Sequence, residues 1–111
     1  MDYKLIATDM DGTLLDDKHL ISEGNIQAIK DVQKKGVKFV LASGRPSFAM
    51  MNYAKQLEMD KNGGYVLAFN GGQLIDLANE KVIFHEGLNK EDIEKVYNVS
   101  KEIGLRMVLY A

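Results

Sequence analysis

The sequence predicts an α/β fold built on a parallel sheet. Two observations carry that prediction: short apolar runs with the length of buried strands, and intervening stretches with the 3.6-residue period of helices, the two alternating from Leu5 to Phe69. Leu5-Ile6-Ala7-Thr8 is the first apolar run and is ended by Asp9, which fits a buried strand. From Ser22 to Lys35 the apolar residues Ile26, Ile29 and Val32 recur at helical spacing, with Ser22 as N-cap, Gly36 as the residue after the helix, and Ile21 and Ile26 as a hydrophobic staple. Val37 to Ala42 reads as a second buried strand, closed by Ser43-Gly44-Arg45-Pro46. Met50, Tyr53, Ala54 and Leu57 then mark a second helix, with Ser47 as its cap and Gly63-Gly64 as its end. Tyr65 to Phe69 is the third strand. After Asn70-Gly71-Gly72 the pattern changes to an antiparallel hairpin, Gln73 to Leu77 and Lys81 to His85, around Ala78-Asn79-Glu80. A third helix starts at Asn89, with Glu91 and Asp92 at the positive end of its dipole and Ile93, Val96, Tyr97, Ser100 and Ile103 as its buried stripe. Arg106 to Tyr110 reads as one more strand.

The chain has 111 residues, 14 Lys+Arg against 16 Asp+Glu, and a formal net charge of -2. That is one domain's worth of chain, able to bury about two-thirds of its unfolded surface. Its 46% hydrophobic and 27% charged residues are those of an ordinary globular domain, which argues against disorder. A slightly acidic balance argues against nucleic acid or an anionic membrane surface as partner. No apolar run approaches the length of a membrane span, and cysteine is absent. Met1-Asp2-Tyr3-Lys4 is not a basic region leading into an apolar stretch, so a cytoplasmic location is expected.

Chemistry concentrates in Asp9-Met10-Asp11-Gly12-Thr13, directly after the first strand. Ligands of open α/β sheets bind at the carboxyl ends of strands, so Asp9 and Asp11 belong to a site if a turn points both at one volume. Two carboxylates about 4 Å apart repel by about 4 kcal/mol at an effective dielectric of 20, which calls for a shared proton or a cation. Hard oxygen donors favour Mg²⁺. One carboxylate can then attack a phosphoryl group while the other moves the leaving group's proton. An Asp-rich turn that merely caps the chain is the alternative for a bare D-x-D. The longer D-x-D-G-T string, however, arises by chance in such a chain only about once in a thousand. Ser43 and the Gly44 N–H, just before a helix, make a second anion-binding element.

On these residues the chain resembles the haloacid dehalogenase-like (HAD) phosphohydrolases: Asp9-Met10-Asp11-Gly12-Thr13 is similar to their first motif and Leu41-Ala42-Ser43-Gly44-Arg45-Pro46 to their second. With Phe69-Asn70-Gly71-Gly72 added, it is similar to the Cof-type branch, largely Mg²⁺-dependent phosphatases of sugar phosphates and other small metabolites. The resemblance implies a Rossmann-like parallel sheet core, incomplete with three strands, over residues 1–72. Residues 73–111 would be the truncated start of an inserted α/β cap domain. It implies Asp9 as nucleophile and Asp11 as general acid/base, with the Asp9 carboxylate and the Asp11 carbonyl on Mg²⁺. Ser43 and nearby N–H groups would hold phosphate oxygens, with Met10 and Gly44 among the phosphate-binding residues. Arg45 suits a phosphate, and equally a solvated position at a helix start. Asn70 either faces the cleft or is a turn residue beside two glycines.

The family pattern also needs a Lys against the phosphate charge and an acidic pair on a fourth core strand, and neither is found in these 111 residues. The expectation is therefore an amino-terminal portion of a longer phosphomonoester hydrolase, inactive alone, whose first strand has an open edge for the missing region or another chain to cover. A phosphomutase using the same Asp pair is the alternative within the superfamily. A non-catalytic phosphate-binding module is the alternative outside it, although a receiver-like domain would place Asp where Asn70 stands. His19 and His85 have no second nitrogen or thiolate at metal spacing and read as solvated or structural.

Overall fold

The computed structural model describes residues 2–111. Its order is strand β1 (Leu5–Asp9), helix α1 (Glu23–Lys34), β2 (Lys38–Ala42), a 3-10 turn at Ser47–Ala49, helices α2 (Met51–Gln56) and α3 (Met59–Asn62), β3 (Tyr65–Ala68), the hairpin β4 (Gln73–Asp76) and β5 (Lys81–His85), and helix α4 (Lys90–Glu102). One sheet holds all five strands in the order β1-β2-β3-β4-β5, parallel from β1 to β3 and antiparallel from β3 to β5. The fold is the α/β class that the sequence predicts, but the sheet has five strands rather than three, because the hairpin continues it from β3.

Register positions the site. Asp9 pairs with Ala42, and Ala42 pairs with Leu67, so the carboxyl ends of the three parallel strands lie in one row. Beneath the row sits a core of Met10, Leu15, Ile29, Phe39, Leu41, Met50, Leu57, Met59 and Val66, with Met10, Leu41, Leu57 and Val66 wholly buried. The caps of α1 follow the sequence: Ser22 accepts the Asn25 N–H at 3.2 Å, and Gly36 turns the chain with φ +88°. Asn89 caps α4 through the Asp92 N–H at 2.8 Å.

Several expectations fail. The second helix is not capped by Ser47; Ser47 opens the 3-10 turn, and α2 begins at Met51 without a side-chain cap. That helix also breaks at Leu57, whose carbonyl is taken by the buried Gln33 amide at 2.7 Å while Glu58 turns with φ 56°. The chain then resumes as α3. The apolar stripe of α4 exists but none of it is fully buried: Val96 and Tyr97 are each 50% exposed and Ile103 62%, while Ile93 and Ser100 are half-buried. Arg106 to Tyr110 forms no strand, since it meets no strand edge with which to pair; instead Tyr110 rests near Phe69, ring centres 5.7 Å apart. The radius of gyration, 16.5 Å, accordingly exceeds the ~13 Å of a compact domain of this length. No helix among the described residues is long and apolar enough to cross a membrane.

Candidate active site

At the carboxyl ends of β1, β2 and β3 lies an open cleft of about 290 Å³, lined by Asp9, Ser43, Gly44, Asn70 and Gly71 with Ala42 and Leu67. Each loop entering it is fixed by backbone bonds. Ser43 N–H donates to the Leu67 carbonyl at 3.0 Å, Asn70 N–H to the Ser43 carbonyl at 3.1 Å, and Phe69 N–H to the Arg45 carbonyl at 3.0 Å. The loops after β2 and β3 therefore form one unit. Asn70 takes φ 55°, a left-handed conformation that Asn tolerates better than most residues. Gly44 lets Asn70 come close: a Cβ there would stand 2.8 Å from the Asn70 Oδ1. The Ser43 hydroxyl accepts the Arg45 N–H at 3.0 Å, which leaves its own proton to donate to an anion.

Asp9 is exposed at the end of β1 and accepts a long hydrogen bond, 3.4 Å, from the Thr13 hydroxyl. The turn that returns Thr13 to it is closed by Thr13 N–H and Leu15 N–H on the Met10 carbonyl, at 3.2 and 2.9 Å, and passes through Gly12 at φ +78°. Met10, an expected phosphate contact, is wholly buried, and its carbonyl is taken by the turn.

Asp11 and Arg45 do not line the cleft; they bind each other. The guanidinium grips the carboxylate with both ends, Nε to Oδ2 at 2.8 Å and a terminal nitrogen to Oδ1 at 2.7 Å. His19 Nδ1 lies 3.5 Å from the Asp11 Oδ1 and from the Arg45 terminal nitrogen. Hydrogen bonding from Arg45, aided by the charges of Arg45 and His19 against some desolvation, holds the Asp11 carboxyl below its usual range. The same pairing raises the Arg45 guanidinium above its ordinary value. A lowered carboxyl stabilises the fold above about pH 4 and loses that contribution as pH falls through its folded value. Arg45→Gln is therefore expected to move the Asp11 titration midpoint upward in an NMR titration, and its stability deficit should vanish in acid. A midpoint that stays put would show that the ion pair does not hold Asp11.

The site thus brings together Asp9, Ser43, Gly44 and Asn70, and pairs Asp11 with Arg45 instead of aiming Arg45 into the cleft. Sequence reasoning missed Thr13, His19 and Tyr53 as members of this surrounding. The position of Thr13 four residues after Asp9 was the available signal; His19 and Tyr53 meet Asp11 and Arg45 across the fold, beyond any local spacing.

Comparison with known proteins decides the family. The sequence pattern of haloacid dehalogenase-like hydrolases matches residues 6–111. The chain belongs to that family. This HAD-like chain is 38% identical over 101 residues to "Putative phosphatase YxeH" of Bacillus subtilis, covering 91% of itself and 37% of that protein. It is 33% identical over 99 residues to the 5-amino-6-(5-phospho-D-ribitylamino)uracil phosphatase YcsE of the same organism, with 89% and 38% covered. Among solved structures it is similar to a haloacid dehalogenase-like hydrolase from Bacteroides thetaiotaomicron, TM-score 0.83 at 35% identity, covering 90% of this chain and 38% of that one. The HAD subclass IIB sugar phosphatase BT4131 matches with TM-score 0.76 at 26% identity, with 91% and 38% covered. The HAD-like chain therefore spans less than half the length of these relatives.

Proposed function

We propose that this chain is part of a Mg²⁺-dependent phosphomonoester hydrolase of the Cof-type branch, acting on small phosphorylated metabolites such as sugar phosphates through an aspartyl-phosphate. The observation that carries the reading is the cleft itself, which Asp9, Ser43 and Gly44 line together at aligned strand ends. The names of the relatives supply the reaction class, and those of YcsE and BT4131 supply two kinds of small phosphorylated substrate.

Asp9 Oδ attacks phosphorus, a P–O bond forms, and the ester P–O bond breaks as Asp11 delivers a proton to the departing oxygen. Water then attacks the phosphorus of the acyl phosphate, Asp11 removes its proton, and Asp9 is released with inorganic phosphate. Ser43 and the neighbouring N–H groups hold the phosphoryl oxygens throughout. In this structure both Asp11 oxygens are held by Arg45, which favours the carboxylate form that the second half uses; the first half requires that ion pair to open and Asp11 to take up a proton.

The oxygen donors suit Mg²⁺ in kind. Mg²⁺ is commonly held by one or two carboxylates with waters and substrate phosphate, and the Asp9 carboxylate and Asp11 carbonyl are hard ligands of that type. No group of three or more His, Cys, Asp or Glu able to hold a metal exists among the described residues. The rest of the shell must then come from phosphate, water and residues outside this segment. Bound there, the ion would neutralise phosphate charge.

On this reading residues 1–72 carry the catalytic core and 73–111 lead into an inserted cap, with the hairpin extending the core sheet before α4. The protein works in the cytoplasm without nucleic-acid or membrane partners, and the carboxy-terminal region or another chain covers the open edge of β1. The test is hydrolysis of a panel of sugar phosphates and other phosphomonoesters by the full-length protein, with and without Mg²⁺. Activity that disappears on chelation and returns with Mg²⁺ is expected. Inactivity across the panel with Mg²⁺ present would overturn the proposal.

A further inference from the structure

Tyr53 on α2 touches both partners of Asp11. Its hydroxyl donates to the His19 carbonyl at 2.9 Å, and the Arg45 guanidinium lies over its ring, 5.7 Å from the centre. Arg45 in turn grips the Asp11 carboxylate, and the His19 ring reaches the same oxygen. The loop that carries His19 is otherwise closed on itself. The Asp16 carboxylate accepts the Lys18 and Leu20 N–H groups at 2.8 and 3.0 Å, the Asp16 carbonyl accepts the His19 N–H at 2.9 Å, and the Leu20 carbonyl accepts the Asp16 N–H at 2.9 Å. His19 sits in this turn at φ 60°, a backbone state that costs a non-glycine residue and persists only when its surroundings impose it. The Tyr53 hydroxyl bond ties that turn to α2.

We propose that Tyr53 is a positioning residue for the general acid: it fixes the turn bearing His19 and the plane of Arg45, and through them the place of the Asp11 carboxylate beside the catalytic strand ends. This rests on the phosphatase reading above. Tyr53 touches neither substrate nor reacting atoms, so its effect should depend on how much the reaction needs Asp11. An alkyl phosphate leaves as a strongly basic alkoxide and needs a proton in the transition state; p-nitrophenyl phosphate leaves as a stabilised phenolate and needs little.

The experiment compares kcat/KM of the full-length protein on p-nitrophenyl phosphate and on glucose 6-phosphate, a parameter that covers steps through departure of the leaving group. Tyr53→Phe deletes the bond to His19 and keeps the ring beneath Arg45; Tyr53→Leu removes both. For Tyr53→Phe the alkyl ester should lose about tenfold while the aryl ester stays within about twofold, and Tyr53→Leu should widen that gap. Equal losses on both esters, as a merely loosened fold would give, would overturn the proposal, and so would no loss on either. If Tyr53→Leu does not fold, Tyr53→Phe alone decides. An unsubstituted protein that cleaves neither these esters nor any other of the phosphomonoester panel brings down the phosphatase reading itself, an outcome distinct from either pattern in the variants.

Discussion

Asp9→Asn in the full-length protein is expected to lower turnover of any phosphomonoester by at least about a thousandfold, while leaving the fold and its melting temperature almost unchanged. The substitution keeps the shape of the side chain and deletes the nucleophilic oxygen. It also costs the fold little, because Asp9 is exposed and its one side-chain hydrogen bond, from Thr13, is long. Steady-state rates on p-nitrophenyl phosphate measure the loss, and acid-stable labelling of the protein by substrate phosphate should fall with them. Retention of activity within about tenfold of the unsubstituted enzyme would remove Asp9 from the nucleophile's role.

The second large effect is on stability. Leu41 on β2 is wholly buried, one residue before Ala42 and two before Ser43. Leu41→Ala removes three carbons from a fully buried position and should cost about 3 kcal/mol, out of the 5–15 kcal/mol that is the rough total for a domain. Urea titration should show a lower midpoint with an unchanged slope. At a temperature where the variant is still folded, its turnover should lie within about threefold of the parent, since the Ser43–Leu67 and Asn70–Ser43 bonds that fix the loop are made by backbone groups and the Ser43 hydroxyl bond to Arg45 does not involve Leu41. A loss below about 1 kcal/mol would mean that the core closes over the gap.

Local signals made much of this legible from sequence. Ser22, Gly36 and Asn89 mark helix ends by chemistry that acts within four residues, and the structure places Ser22 and Asn89 as N-caps and Gly36 directly after the C-cap Lys35. The strand before Asp9 and the strand before Ser43 were readable for the same reason, and the cleft follows once their ends are aligned. Arg45 was not readable. A guanidinium suits phosphate and carboxylate alike, and its partner Asp11 lies 34 residues away, so nothing local chooses between them. The stripe on α4 has the right period, yet period reports a face that wants burial, not what buries it. Arg106 to Tyr110 has strand composition without a ladder to join, which shows how far strand formation depends on a neighbour.

The alignment of Asp9, Ala42 and Leu67 gives the cleft a parity. Side chains alternate across a strand, so a slip of one residue between β1 and β2 would present Thr8 where Asp9 belongs and would send the carboxylate to the opposite face of the sheet. Length changes in β1 are therefore not graded in their effect. One residue more or less inverts the strand, whereas Met10, anchored in the core immediately after it, resists the shift that would repair the phase. The nucleophile's place is set by counting: the number of residues in β1 decides which face of the sheet carries it.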